Sequence, residues 1–573
     1  MAERGKPASS AEVDKYGRLA VDLVSAYTSG DAAALERLGQ HYGRSLTQED
    51  VRAAVWRRVH AVRQGQEFDL AHARTLIARE AGSPSWDAFV QAVTTGAPAP
   101  EPAYAIDTKE NKIRLRRRLL DRDWDELIEV MREGRVTGLD AGGQMTDVVL
   151  ERIAGLDHVT RLQLGGSRAL TDDGLRHLAR IPQLEELDLN DYPGGVITDR
   201  GLEVLRHLRE LRKFEMTWQR GISDAGVANL AFCERLESVN LMGSPTGDGA
   251  IRALAGKPSL RRFSTGRQVT DAGLALLHRF PVFKTWQGGE LRYSMMEFDA
   301  GPNFLLLDGP FTDAGTAQLA ALEGVFALTF FWHTSALTAK GLEPLAALPH
   351  LGFLGCGGEL CTDDAMRRIG ALPHLRMLQA QGTVATDDGF AALARSRTLE
   401  YLWGRECPNL TGRGFAALSG MPALRGLAVS CKRVDDEALS LLPRFPSLTD
   451  LMPMDVPDEG FRHVGRCERL EGLWCMYCRD TTDASTEHVA GLSRVKTYYA
   501  GKTQITDRSL EILSRMSSLE HLMFWEVAGI TDAGLAPLAR LPRLREISVE
   551  GSAQVTAQGM KVFPAGVRVQ YSV

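Results

Sequence analysis

The stretch "ITDAGLAPLARLPRLREISVEGS", Ile530 to Ser552, contains one complete structural sentence. Thr531 is suited to cap a helix, and Asp532 favours the positive end of a helix dipole. Leu535, Leu538 and Leu541 recur at roughly helical spacing, which predicts one apolar stripe. Pro542 discourages continuation of the helix. Ile547 and Val549 then alternate with Ser548 and Glu550, which is strand periodicity. A helix, a turn and a short strand are therefore expected within about two dozen residues.

The same sentence occurs far upstream as "LTDDGLRHLARIPQLEELDLND", Leu170 to Asp191. Thr-Asp or a close relative returns from Thr146 to Thr556, about 17 times at a spacing of about 24–25 residues, within the range of short solenoid repeats. One wide gap, from Thr270 to Thr312, holds "GGELRYSMMEFDAGPNF" and predicts an insertion near residues 289–303. A single unit cannot bury its own apolar face, whereas stacked units share one continuous core.

The repeated L-x-x-L-x-L followed by [IVL]-T-D-x-G-L-x-x-L resembles leucine-rich repeats, specifically the cysteine-containing subclass found in F-box-type proteins. The resemblance covers residues 136–573. It implies an α/β solenoid, a right-handed horseshoe with a parallel concave sheet and outer helices. It also implies that Cys233 and Cys467 precede strands, that Cys407, Cys431 and Cys478 follow them, and that all face the core. Cys356 and Cys475 fall at inward strand positions; Cys361 has no assignment. "CMYC", Cys475 to Cys478, could be a redox or zinc pair, but a zinc site needs a second pair and the repeat explains both thiols as small buried hydrophobes.

The chain has 573 residues, more than one compact core usually holds. Residues 11–95 lack the repeat and predict a small all-helical domain, with Thr47, Asp69 and Ser85 as helix caps. "DLAHARTLIAREAGSPSWDAFVQAV" resembles the helical segment ahead of ankyrin repeats in bacterial proteins, which implies a bacterial source and a docking role. Residues 96–105 form a Pro/Ala-rich linker. Residues 106–135 are expected to be a helical cap of the solenoid. Their run Arg114, Arg116, Arg117 and Arg118 could contact phosphate, or could be a solvated face paired with Asp121, Asp123 and Asp125.

The formal net charge of −6 argues against a nucleic-acid surface over the whole molecule, though not against a local one. The start of the chain lacks a signal-peptide pattern, and no apolar run approaches membrane-spanning length. Eight cysteines are too few for a disulfide scaffold, so a cytoplasmic setting is expected. No catalytic residues, metal ligands or cofactor motif emerge: the sequence has no Walker loop, no nucleophile elbow and no H-E-x-x-H.

The outward strand positions carry the functional expectation. Early repeats place polar residues there, such as Arg161, Gln163, Lys213 and Glu215. Later repeats place Phe331, Phe353, Tyr401, Trp403, Met452, Trp474, Met476, Tyr499, His521 and Trp525 there. The fold needs apolar residues only at inward positions, so this wall is read as the binding surface for a protein or peptide. Self-packing of these side chains, or coverage by the insertion, are the competing readings. The expected function is a non-enzymatic scaffold, with the helical domain contacting a second partner. The alternative is an enzyme or enzyme subunit with its site in the concave cleft or the helical domain.

Overall fold

The computed structural model describes residues 10–59, 62, 67–80, 86, 89–90, 93, 103–107, 110–190, 196–286, 303–476 and 478–572. The expected linker at 96–105 lies largely outside the described residues, and so does the insertion at 289–303 apart from Asn303. The chain divides into two compact units, Met1–Leu208 and Arg209–Val573.

The first unit opens with helices Ser10–Ser29, Ala32–Tyr42, Gln48–Arg58 and Leu70–Glu80. Thr47 caps the third, and Asp50 completes a capping box with it. The helices bury Leu19, Leu23, Leu38, Val51, Val55, Phe68 and Ile77 in one cluster. The cap differs from expectation. Tyr104–Asp107 and Lys112–Leu115 form an antiparallel hairpin, and only Asp121–Glu133 is helical. The second hairpin strand pairs in parallel with Gly138–Asp140, the first repeat strand. That strand would otherwise present unpaired backbone groups at a sheet edge, so ladder hydrogen bonding overrides the helix-favouring composition of the segment. Ile113 is fully buried while Arg114 is exposed, which is strand alternation. Arg161–Gln163 and Glu186–Asp188 continue the parallel ladder.

The second unit is a run of short strands from Lys213–Glu215 to Arg568–Ser572, each described pair parallel and in register. Inward residues such as Phe263, Leu305, Leu354, Leu402, Leu473 and Ile547 are fully buried and stack from repeat to repeat. The backbone returns through short helical turns. Several are one α-turn continued as 3-10 helix, and Ala339–Ala347 is 3-10 throughout. This is the expected α/β solenoid of leucine-rich-repeat type with a helical N-terminal region.

The Thr-Asp-x-Gly motif has a second meaning beyond helix capping. The Asp of one repeat accepts hydrogen bonds from the backbone N–H and hydroxyl of the Thr that begins the next: Asp363 from Thr386, Asp387 from Thr411 and Asp483 from Thr506. The carboxylate occupies the space where the motif's Gly has no side chain. A Cβ at Gly389 would stand 2.5 Å from an Asp363 oxygen. Where Ser509 replaces the Gly, its hydroxyl donates to Asp483 instead, at 2.6 Å. The clamp also joins Asp271 to Thr312, so the stacking passes straight across the wide gap in the repeat.

All eight cysteines are buried, and none forms a disulfide. Cys361, which had no assignment, places its sulfur 3.0 Å from that of Cys356.

Candidate functional site

The strand register places the expected residues on the face opposite the helices. Phe353, Met377, Tyr401, Gly426, Asp450 and Gly472 follow one another along one row. Trp403 stands opposite Ala428, Trp474 opposite Tyr499, and Met476 opposite Gly501. Their inward neighbours Leu402 and Leu473 are fully buried.

Their exposure corrects the sequence reading. Phe353, Tyr401, Met452, Trp474 and Met476 are buried, at 1–5% exposure, although they lie on the open face. They form one cluster with Phe326, Met377, Ala428 and Met454, and Trp403, Tyr499 and Trp525 pack against it. Phe331 and His521 are half-buried. Neighbouring wall positions are only one strand spacing apart, so large side chains lie across the small ones beside them. The Trp474 ring occupies the space a side chain at Gly472 would take, and Met476 with Trp525 does the same at Gly501. Self-packing, the competing reading, therefore describes half of the ten residues. The Trp474 and Tyr499 rings meet edge to face at 6.3 Å.

What remains accessible is a partly exposed set of ring faces and edges on a packed floor. Lys502 places its ammonium 4.3 Å from the centre of the Trp525 ring, an attraction to the ring quadrupole. His521 faces Glu546 at 3.6 Å. The Trp474 indole N–H is buried and has no acceptor among the described residues. Burial, with Asp450 adding to it, pushes the Tyr401 phenol up to about 12. Asp450 is itself raised by burial, against the lowering effect of the Thr449 hydroxyl and Arg425.

Along the edge where the strands begin, charged residues neutralise one another. Arg376 donates to Glu400 at 2.7 Å, Lys496 to Glu471 at 2.7 Å, and Arg545 faces Glu520 at 3.3 Å. These positions precede each strand at repeat spacing, so their alternation of sign is legible along the chain. The N-terminal arginine run is engaged within the first unit. Arg117 pairs with Asp123 at 2.8 Å, and Arg114 pairs with Glu110. Arg118 lies over the Tyr42 ring at 4.7 Å and donates to the His41 carbonyl. Among the described residues no group of three metal-ligating side chains is assembled, and no helix is long and apolar enough to cross a membrane.

No family model matches the chain. It is similar to mitochondrial ATP synthase subunit s of Rattus norvegicus and of Homo sapiens, each 27% identical over 110 residues. Those alignments cover 19% of this chain, which spans 55% of the length of each relative. Among solved structures it is similar to TLR13 in its complex with ssRNA13, at 15% identity and a TM-score of 0.42, covering 72% of this chain and 62% of that one. It is also similar to a chain of the yeast Rad7–Elc1 complex, at 14% identity and a TM-score of 0.33, covering 79% and 88%. An internalin of Listeria monocytogenes gives 17% identity and a TM-score of 0.21, covering 74% and 94%.

Proposed function

We propose that this protein is a non-enzymatic interaction scaffold that holds a protein or peptide on the concave face of its later repeats. The observation that carries the reading is the position of Trp403, Tyr499 and Trp525. They are half-exposed aromatics at outward strand positions where the fold requires no apolar residue, seated on a floor of buried rings and methionines. Phe331 and His521 extend the accessible surface. Phe353, Tyr401, Met452, Trp474 and Met476 act beneath it as a floor that holds the contact residues in place. A floor already ordered before binding lowers the entropy lost on association. Aromatics with an apolar body and a polar tip are enriched at interface hot spots.

The helical domain at residues 11–95 is the second docking element in this reading, by its resemblance to the segment that precedes ankyrin repeats in bacterial proteins. Buried thiols outside any disulfide support a cytoplasmic setting.

The test is capture of partners by the full chain and by Trp403→Ala, Tyr499→Ala and Trp525→Ala variants. The parent should retain a defined set of proteins that the variants lose, with far smaller losses of stability than Trp474→Ala causes. Identical capture by all four chains would remove the wall from consideration.

A further inference from the structure

A second aromatic group lies in the second unit, where the chain leaves the strands and loops towards the helices. Trp332 is 73% exposed, more than any other large hydrophobic among the described residues. It stacks on Phe331 with ring centres 4.8 Å apart and planes within 10° of parallel. Trp218 joins from another repeat, 5.5 Å from Trp332 and 6.2 Å from Phe331. Trp218 is held with a left-handed φ of 60° and lies against Gly243, where any side chain would collide with its ring. The packing of the core does not require an exposed indole at this edge.

The chemistry around these rings is cationic. Arg220 lies two residues beyond Trp218. Arg267 donates its backbone N–H to the Ser244 carbonyl, beside the Gly243 that seats Trp218. Both arginines are exposed, and neither forms an ion pair among the described residues. His333 follows Trp332. Asp308 accepts the His333 backbone N–H at 2.7 Å and faces its Nδ1 at 2.8 Å. In the loops at 216–222, 241–246, 265–269, 308–311 and 331–337 the only carboxylate is Asp308, and it is fully buried. These five loops therefore present stacked rings and positive charge with no exposed carboxylate; the next loop along carries the exposed Glu359.

We propose that this edge binds a nucleoside phosphate, with the base stacked on Trp332 and the phosphate held by Arg220 and Arg267. Free nucleotide and single-stranded nucleic acid share that chemistry. Aromatic faces accept any base, and cations beside them track the phosphate. The net charge of −6 is a property of the whole chain and does not oppose a local patch. This site adjoins the wall proposed above at Phe331, but Trp332, Arg220 and Arg267 are not part of that wall, so either can fail without the other.

The experiment titrates the full chain with three probes: a short fluorescein-labelled single-stranded DNA, adenosine monophosphate, and a peptide rich in Glu and Trp. Binding of the DNA is expected, weakened roughly 5- to 150-fold in Trp332→Ala and largely restored in Trp332→Phe. Arg220→Glu with Arg267→Glu should reduce the slope of log affinity against log salt by about 0.7 for each phosphate left without its arginine. Trp332 and both arginines are exposed, so melting temperatures should not change. Equal affinity for adenosine monophosphate would identify a free nucleotide as the ligand; a strong preference for the DNA would identify a strand. The proposal is overturned if neither phosphate probe binds, if the variants bind like the parent, or if the acidic peptide binds and the DNA does not.

Discussion

Asp507 accepts two hydrogen bonds from Thr531, one from its backbone N–H at 2.7 Å and one from its hydroxyl at 2.6 Å. The two residues open successive repeats. The Thr531 hydroxyl also accepts the Ala533 N–H at 3.2 Å, so one short network caps a helical turn and joins it to the previous repeat. Gly534 completes it, because any side chain there would run into the Asp507 carboxylate.

Gly534→Ala should therefore destabilise the C-terminal repeats by about 1–3 kcal/mol, the usual cost of forcing atoms into a packed site. Asp507→Asn keeps the shape but leaves the two Thr531 donors with one carbonyl oxygen and an NH2 group. It should cost about 1.5–3 kcal/mol, as expected for hydrogen bonds to a charged group. Guanidinium unfolding of the full chain measures both. Hydrogen exchange at the Thr531 amide localises the effect, since repeats open locally before they unfold globally. Unchanged protection at Thr531 in Asp507→Asn would show that the clamp does not hold the repeats together.

The clamps also predict acid sensitivity. Burial opposes ionisation of Asp387, but hydrogen bonds from the Thr411 hydroxyl and N–H and from the Gly414 N–H outweigh it and hold the carboxyl below 3.8. Asp483 is held down in the same way, against burial, by Ser509 and Thr506. A carboxyl depressed in the folded state stabilises the protein above its unfolded value of 3.8, and that contribution is lost as pH falls through the folded value. Stability should fall below about pH 4, and Asp387→Asn should flatten the dependence. A parent stability that is level down to pH 2 would contradict this.

The wall separates two kinds of tryptophan. Trp474 is 5% exposed within the aromatic cluster, so Trp474→Ala should cost about 3–5 kcal/mol. Trp474→Phe removes the N–H that has no acceptor among the described residues, while keeping most of the ring, and should cost much less. Trp403→Ala should change stability far less than Trp474→Ala and act mainly on partner affinity. Equal loss of stability in the two alanine variants would show that Trp403 is floor rather than contact surface.

Thiol chemistry reads the core directly. Burial pushes the Cys233, Cys407, Cys467 and Cys475 thiols up to about 12. At pH 8 only roughly one in ten thousand of each would be the reactive thiolate. Labelling of native protein should be slow and should accelerate strongly on denaturation. Rapid labelling of the native chain would place these cysteines outside the core.

The repeat period, the apolar alternation and the capping threonines identify the solenoid from sequence alone, because each is a local signal written many times over. The outward positions of Tyr401, Trp403, Trp474 and Tyr499 were also legible, since side chains alternate faces along any strand. Whether an outward residue is exposed depends on its neighbours in adjacent strands, about 24 residues away in the chain and one strand spacing away in space. Gly472 and Gly501 leave the hollows that Trp474, Met476 and Trp525 fill, and no local pattern reports that match. The hairpin at Tyr104–Leu115 was obscured for a similar reason. Its strand character is imposed by the unpaired edge of Gly138–Asp140 rather than by its own composition. The meeting of Trp218 with Trp332 joins residues more than 100 positions apart. Periodicity along the chain determined what each repeat is; stacking across repeats decided which side chains on the shared surface stay exposed.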